Sequence, residues 1–315
     1  MRVRVNKPGL LTTVQDLGRW GYQALGVAVA GPMDAYSHRL ANALVGNPDG
    51  AATLEVTLVG PELEFDDERT VAVVGAEFEP FTQRVVQHVK AGDRLRFGAR
   101  VRGARAYVAI SGGIETPMVL GSRSTHLPSG MGRALKAGDE LALGRATVPI
   151  RPAEAGRYER HGERPDERRH ERRARVPLPD GRATVRVLPG PQDDRFAARA
   201  LDALQSAPYR IGTDSNRMGY RLSGPRLEHA GGADVISDAT PLGVLQVPAS
   251  GQPILLMADR QTTGGYAKIA TVIAADIRLA GQLAPGDEIR FAVCTRDEAL
   301  AALISQERSL MDARR

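Results

Sequence analysis

"AGPMDAYSHRLANALVGNP" (residues 30–48) and "LPGPQDDRFAARALDALQSAP" (residues 188–208) carry one plan twice. Gly31-Pro32 stands before Asp34 and an apolar pattern at Tyr36, Leu40, Ala43 and Leu44; Gly190-Pro191 stands before Asp193 and Phe196, Ala200, Leu201 and Leu204. Each stretch predicts an amphipathic helix with an aspartate placed to accept the orphan amide protons of the first turn. Gly46-Asn47-Pro48 and Pro208 supply the stops.

The repetition runs on in register. "LEVTLVGPELEF" carries Gly60-Pro61 and "GYRLSGPRLEH" carries Gly224-Pro225; the halves close on "KAGDELAL" (Gly138-Asp139) and "APGDEIRF" (Gly286-Asp287). The offsets are 159 at Gly31/Gly190, 164 at Gly60/Gly224 and 148 at Gly138/Gly286. Near-constant offsets fit a duplication with small insertions. The last of them lays "AYVAISGG" (106–113) opposite "ILLMADRQ" (254–261), so a strand runs into a polar loop in both halves. "TVAVVGAEFE", "QHVKAGDRLRF", "TVRVLPG" and "KIATVIAADIRLA" place β-branched residues at alternate positions between Gly, Pro and Asp turns. The pattern predicts a mostly β protein with a few helices, two compact barrels with one helix each, rather than a Rossmann domain with its longer and more numerous helices. "RDEALAALISQERSLMD" (296–312) predicts a terminal helix with a partial apolar stripe, lying on its own chain or on a partner.

A chain of 315 residues, 42% hydrophobic, is long enough for two cores. The expected division is a first barrel over 1–150, an Arg-rich linker without order over 151–180, a second barrel over 181–295 and a terminal helix over 296–315. The formal charge of +5 is concentrated in that linker, where residues 151–175 hold nine arginines against six acids and almost nothing apolar. This is the composition of a solvated segment. Tyr158 is the one aromatic among those arginines, too little for base stacking, so nucleic acid is not an expected partner. "MRVRVNKPGLLTTVQDLGRWGY" has neither a signal-peptide core nor a membrane span, and the reading is a cytoplasmic protein with no membrane partner. The single cysteine, Cys294, reads as a small core residue, and six scattered histidines predict no metal site. There is no Gly-x-x-x-x-Gly-Lys-Ser/Thr run and no biotin-attachment lysine segment, so ATP would bind without a P-loop or chiefly on a partner, and biotin would visit from elsewhere.

The motifs carry a resemblance. "VQDLGRWGYQALGVAVAGPMDAYSHRLANALVGN", "LGSRSTHLPSGMGRALKAGD", "RMGYRLSGPRL", "GVLQVPASGQPILLMADRQTTGGYAKIATVIAADI" and "GQLAPGDEIRF" resemble the biotin-dependent carboxyltransferase-related family, which takes in the C component of 5-oxoprolinase, allophanate hydrolase subunit 2, the KipA-like proteins and a domain of urea carboxylase. The resemblance covers nearly the whole chain except the Arg-rich segment. It implies duplicated cyclophilin-like β-barrel domains and association with a KipI-like protein, the B component of 5-oxoprolinase. It further implies an ATP-dependent 5-oxoprolinase, in which the B and C components activate the lactam by phosphorylation and an A-like component completes ring opening to glutamate. Two other readings remain: carboxyl transfer from biotin to urea or a related amide, and a KipA-like regulatory protein that binds a kinase-inhibitor partner.

Activating an amide requires fixed donors aimed at developing negative charge. "LLMADRQTTGGY" (255–266) offers Arg260, Gln261, Thr262, Thr263, Gly264, Gly265 and Tyr266, with Lys268 just beyond, as the wall of an amide or phosphate pocket at a barrel mouth. Its structural alternative is a turn capped by Asp259 with both glycines at positive φ. Asp16 and Arg19 in "VQDLGRWGY" form an ion pair or a carboxylate clamp; Asp34 is a helix cap or an anion site. Ser122 and Arg123 in "GSRST" line a second rim or a turn. Arg217 in "TDSNRMGYRL" is the expected anion contact, by an alternation that sends Arg217, Gly219 and Arg221 to one face. Ser237, before Asp238, stands where relatives carry Ser-Glu, and Ala267 replaces the proline of a common Gly-Gly-Tyr-Pro.

Overall fold

The computed structural model describes residues 1–81, 84–146 and 178–314. The Arg-rich segment therefore lies outside the described residues, except for its last three positions, 178–180. The first half contains β1 (Arg2–Lys7), β2 (Leu11–Gln15), α1 (Ala35–Leu44), β3 (Thr53–Thr57), β4 (Glu62–Phe65), β5 (Arg69–Phe78), β6 (Val85–Val89), β7 (Arg94–Arg96), β8 (Arg100–Ile110) and β9 (Glu140–Ala142). The second contains β10 (Arg182–Pro189), α2 (Ala200–Ser206), β11 (Tyr209–Ile211), β12 (Gly219–Ser223), β13 (Asp234–Ala239), β14 (Val244–Val247), β15 (Ile254–Leu256), β16 (Thr263–Val272), α3 (Ile277–Gly281) and β17 (Glu288–Val293); α4 (Arg296–Ala313) follows.

Alternation within β5 and β8 explains the layering of the first half. Val71, Val73, Ala106, Val108 and Ile110 face one core with Val3, Val5, Leu63 and Phe65. Ala72, Val74, Tyr107 and Ala109 face the other side, against Tyr36, Leu40 and Ala41 of α1. Burial on both faces requires the unbroken apolar run "VAVV" rather than a polar/apolar alternation. The layers are a four-stranded sheet, β7-β4-β1-β9, a five-stranded sheet, β2-β3-β8-β5-β6, and α1.

The second half is a closed barrel. Seven strands run β10-β17-β11-β12-β15-β14-β16, and β16 pairs back onto β10. Its interior holds Val187, Tyr209, Tyr220, Leu222, Leu255, Ala267, Ile269 and Phe291. β13 is attached outside the ring, to β16 alone.

Two alike barrels were expected, and the halves differ. In the first half the chain passes repeatedly between the two sheets, first between β1 and β2 at Pro8-Gly9 and next between β3 and β4 at Gly60-Pro61. Proline gives no ladder hydrogen bond and Gly9 takes φ +74°, so the chain turns at these points; the two sheets are separate and face each other across one core. The second capped helix is also corrected. Asp34 caps α1, accepting from the Ser37 N–H at 2.9 Å. Asp193 instead opens a 3₁₀ turn over Asp193–Arg195, and α2 starts only at Ala200 with no side-chain cap. "KIATVIAADIRLA" is a strand only to Val272, and its end folds into α3, a helix the alternation hid. Cys294 is half-buried beyond β17 rather than a core residue.

The halves are not independent cores. Met33, from the first, sits in the barrel core. α4, capped by Thr295 and Glu298, returns to the first half, where Leu310 is buried beside Tyr36 and Leu40. Gly281 ends α3 with its Cα against the first half; a Cβ there would lie 2.3 Å from the Met33 carbonyl oxygen.

Candidate functional site

β12 and β15 are ladder partners, and their pairing continues past the strand ends. The Met257 N–H donates to the Met218 carbonyl and the Asp259 N–H to the Arg217 carbonyl. This brings the Arg217 and Asp259 side chains together in a two-pronged pair, Nε–Oδ2 and Nη2–Oδ1 both at 3.0 Å. Arg217 then crosses to the first half, where it meets the Glu55 carboxylate on β3 and the Gly31 carbonyl at 2.6 Å. Glu55 also accepts from the Met33 N–H at 2.9 Å and the Tyr107 hydroxyl at 2.8 Å. Burial alone would lower the Arg217 pKa, but the charges of Glu55 and Asp259 outweigh it and raise it. Burial pushes Glu55 up, and Arg217 followed by Arg105 brings it net below its ordinary value.

A second set of contacts extends this seam. Arg105 Nη1 donates to the Tyr220 hydroxyl at 3.0 Å and to the Gly281 carbonyl at 2.6 Å. Gln282 Nε2 donates to Asp34 Oδ2 and to the Arg105 carbonyl, both at 2.8 Å. Asp34 is thus spent on Ser37 and Gln282, and burial pushes its pKa up.

Above the seam lies an open cleft of about 290 Å³ between the halves. Gly26–Ala28, His126, Ser129 and Met131 line it from the first half, and Met218, Asp259, Arg260 and Gln261 from the second. Arg260 is the guanidinium that opens on it. Its Nε donates to the Thr240 carbonyl at 2.7 Å, and it has no carboxylate partner among the described residues. Burial holds its pKa below the ordinary arginine value. His126 is buried, with Nδ1 2.6 Å from Ser129 Oγ and Nε2 3.5 Å from the Asp259 carbonyl oxygen.

The sequence motifs fall in separate places. Asp16, Arg19, Ser122 and Arg123 come together, although they lie over a hundred residues apart in two pairs. Asp16 accepts from the Ser122 and Ser124 hydroxyls at 2.6 Å each and from the Arg123 N–H at 2.6 Å. Burial raises its pKa, but these donors hold it below the usual carboxylate range. Arg19 is not its ion-pair partner: Nη2 donates to the Ser124 carbonyl, while Nη1 is buried without a hydrogen-bond partner. Arg260 and Gln261 line the cleft, with Thr262 half-buried beside them. The rest of the glycine loop is strand. Thr263, Gly264, Gly265, Tyr266 and Lys268 belong to β16, neither glycine has a positive φ, and Lys268 is fully buried. Ser237 is exposed on β13.

Arg217 breaks the expected alternation. Arg221 is exposed, and Tyr220 and Leu222 point into the barrel as the pattern requires, but Arg217 precedes β12 and is drawn inward by Glu55 and Asp259. Glu55 and His126 escaped the sequence reading. Glu55 sits in the alternating run "TLEVT", where a lone acid reads as solvent-facing, and His126 directly follows the "GSRST" motif.

The chain belongs to the carboxyltransferase-type family described as carboxyltransferase domain, subdomain A and B, which matches residues 25–293. Within it, the chain is a homologue of the C component of 5-oxoprolinase. It is 37% identical to that protein from Escherichia coli over 97% of this chain and 96% of the relative, and 35% identical to that from Haemophilus influenzae over 91% and 89%. The solved structure of the K. lactis urea amidolyase matches 99% of this chain at 32% identity and a TM-score of 0.86, and the match occupies 20% of that longer polypeptide. No helix among the described residues is long and apolar enough to cross a membrane.

Proposed function

We propose that this chain is the C component of an ATP-dependent 5-oxoprolinase, which acts with A-like and B-like partner components in the cytoplasm to open 5-oxoproline to glutamate. The observation that carries this reading is the end-to-end match to the 5-oxoprolinase C component, against a match to one part of the amidolyase. The cleft agrees with it. A volume of about 290 Å³ is at the low end for small-molecule pockets, which suits a compact lactam and leaves the nucleotide to a partner protein. Arg260, with no acid to neutralise it among the described residues, is placed to stabilise negative charge on the lactam oxygen or on a transferring phosphoryl group. Arg217 and Asp259, their side chains spent on each other, hold the loop that presents Arg260 and so act in this reading as positioning residues. Reconstitution tests the reading: the chain with its A-like and B-like components should release glutamate only when ATP and 5-oxoproline are both present.

A second reading is supported by the match to the amidolyase over 99% of this chain. It is carboxyl transfer to urea or a related amide, with biotin delivered by another protein. Turnover of carboxybiotin with urea, in a mixture silent towards 5-oxoproline, would replace the first reading by this one.

A further inference from the structure

β14 lays Gln246 directly opposite Lys268 of β16. Lys268 is fully buried and Gln246 is 1% exposed, yet neither Lys268 Nζ nor Gln246 Nε2 has a hydrogen-bond partner among the described residues. Leaving a buried donor unmet is costly, and more so when it is charged. Two such donors side by side are not explained by folding stability. Asp238 Oδ2 lies 3.6 Å from Nζ, close enough to pair the charges but beyond hydrogen-bond length.

Two neighbours give the pair its shape. Gly264 lies beside the amide, where a Cβ would stand 2.5 Å from Gln246 Nε2. Gln261, a residue of the cleft wall, donates to Gln246 Oε1 at 3.3 Å, which fixes the amide and leaves its nitrogen unspent. Asp238 rides on β13, a strand paired on one side only, with a register irregularity between Asp234 and Asp238 and with Ile236 94% exposed.

We propose that Lys268 and Gln246 form a subsite for the carboxylate of a small substrate, and that Asp238 is the internal carboxylate the ligand displaces. One cation facing one acid matches a monoanion, whereas a phosphate would call for more donors. Asp238 is ready for that exchange: the Ala239 N–H, followed by Lys268, holds its pKa below the ordinary value, so it is charged at neutral pH. The ligand's identity as 5-oxoproline, which carries a carboxylate beside its lactam, rests on the proposed function; the subsite rests on the two unspent donors.

Calorimetry on the full chain tests this with 5-oxoproline, pyrrolidin-2-one (the lactam without a carboxylate), glutarate (carboxylates without a lactam) and inorganic phosphate. 5-Oxoproline and glutarate should bind. Lys268→Met should weaken both at least tenfold without lowering the melting temperature, and Asp238→Asn should tighten both severalfold. The subsite is refuted if Lys268→Met binds carboxylates as the parent does, if phosphate binds in their place, or if both variants lower the melting temperature at unchanged affinity. Glutarate held through Lys268 with no binding of 5-oxoproline would sustain the subsite and sink the lactam reading. 5-Oxoproline bound equally by parent and Lys268→Met would do the reverse.

Discussion

Arg217, just before β12, and Arg260, beyond the end of β15, do opposite work. Arg217, in the seam, is buried against two carboxylates and a carbonyl. Arg260, at the cleft, has carbonyl partners and no acid among the described residues. Both are arginines in polar loops beside strands, and the sequence treats them alike. The difference teaches that a cluster of donors becomes a site only where its charge is left over. The seam consumes its charge in holding two halves together, and the cleft keeps one guanidinium in reserve.

The comparison breaks most visibly at Arg217. Arg217→Met leaves Glu55 and Asp259 buried without their cation, which should cost about 3–5 kcal/mol in denaturant unfolding. A loss below about 1 kcal/mol would show that the seam does not bind the halves.

One layer behind the seam, His38 tests the same buried environment by pH. Its Nε2 donates to the Asp49 carbonyl at 3.0 Å, so Nδ1 is left to accept from Thr53 Oγ1 at 2.9 Å, and the ring is neutral. Burial lowers its pKa from 6.5 to about 4. The unfolded ring takes up a proton at the ordinary value and the folded ring only near pH 4. Stability from this group is therefore full above pH 6.5 and falls as the pH drops towards 4, by about 3 kcal/mol in all. His38→Gln should flatten that part of the stability profile; an unchanged slope would assign it to other groups.

Arg260→Ala sharpens the comparison from the other side. Activity of the reconstituted enzyme should fall at least tenfold, about 1.4 kcal/mol of transition-state stabilisation, while the melting temperature stays close to that of the parent. A drop in melting temperature to match Arg217→Met would make the two arginines equivalent after all.

The smallest effect belongs to the surface. Glu307 of α4 pairs with Arg39 of α1 at 2.6 and 2.8 Å, but both side chains are partly solvated. Glu307→Gln should cost under about 1 kcal/mol, and less in high salt. A larger loss would show that α4 is held by charge rather than by Leu310.

What was legible in the sequence follows from short-range periodicity. The two-residue period of β5 and β8, the Asp34 cap of α1 and the extent of α4 are local properties of the chain, written within a few residues of where they act. The motifs at residues 14–22 and 121–125 were also visible, and the Asp16 pairings joined them. Three outcomes depended on packing. Whether a half closes into a barrel is decided by pairing between distant strands: β16 pairs back onto β10 and closes the second half, although Gly224-Pro225 stands there where the open first half has Gly60-Pro61. Whether an arginine is spent is decided by what lies across the seam: Arg217 meets a glutamate 162 residues away. A cleft between halves has no sequence period at all, because its walls come from loops that only the docking of the two halves brings together.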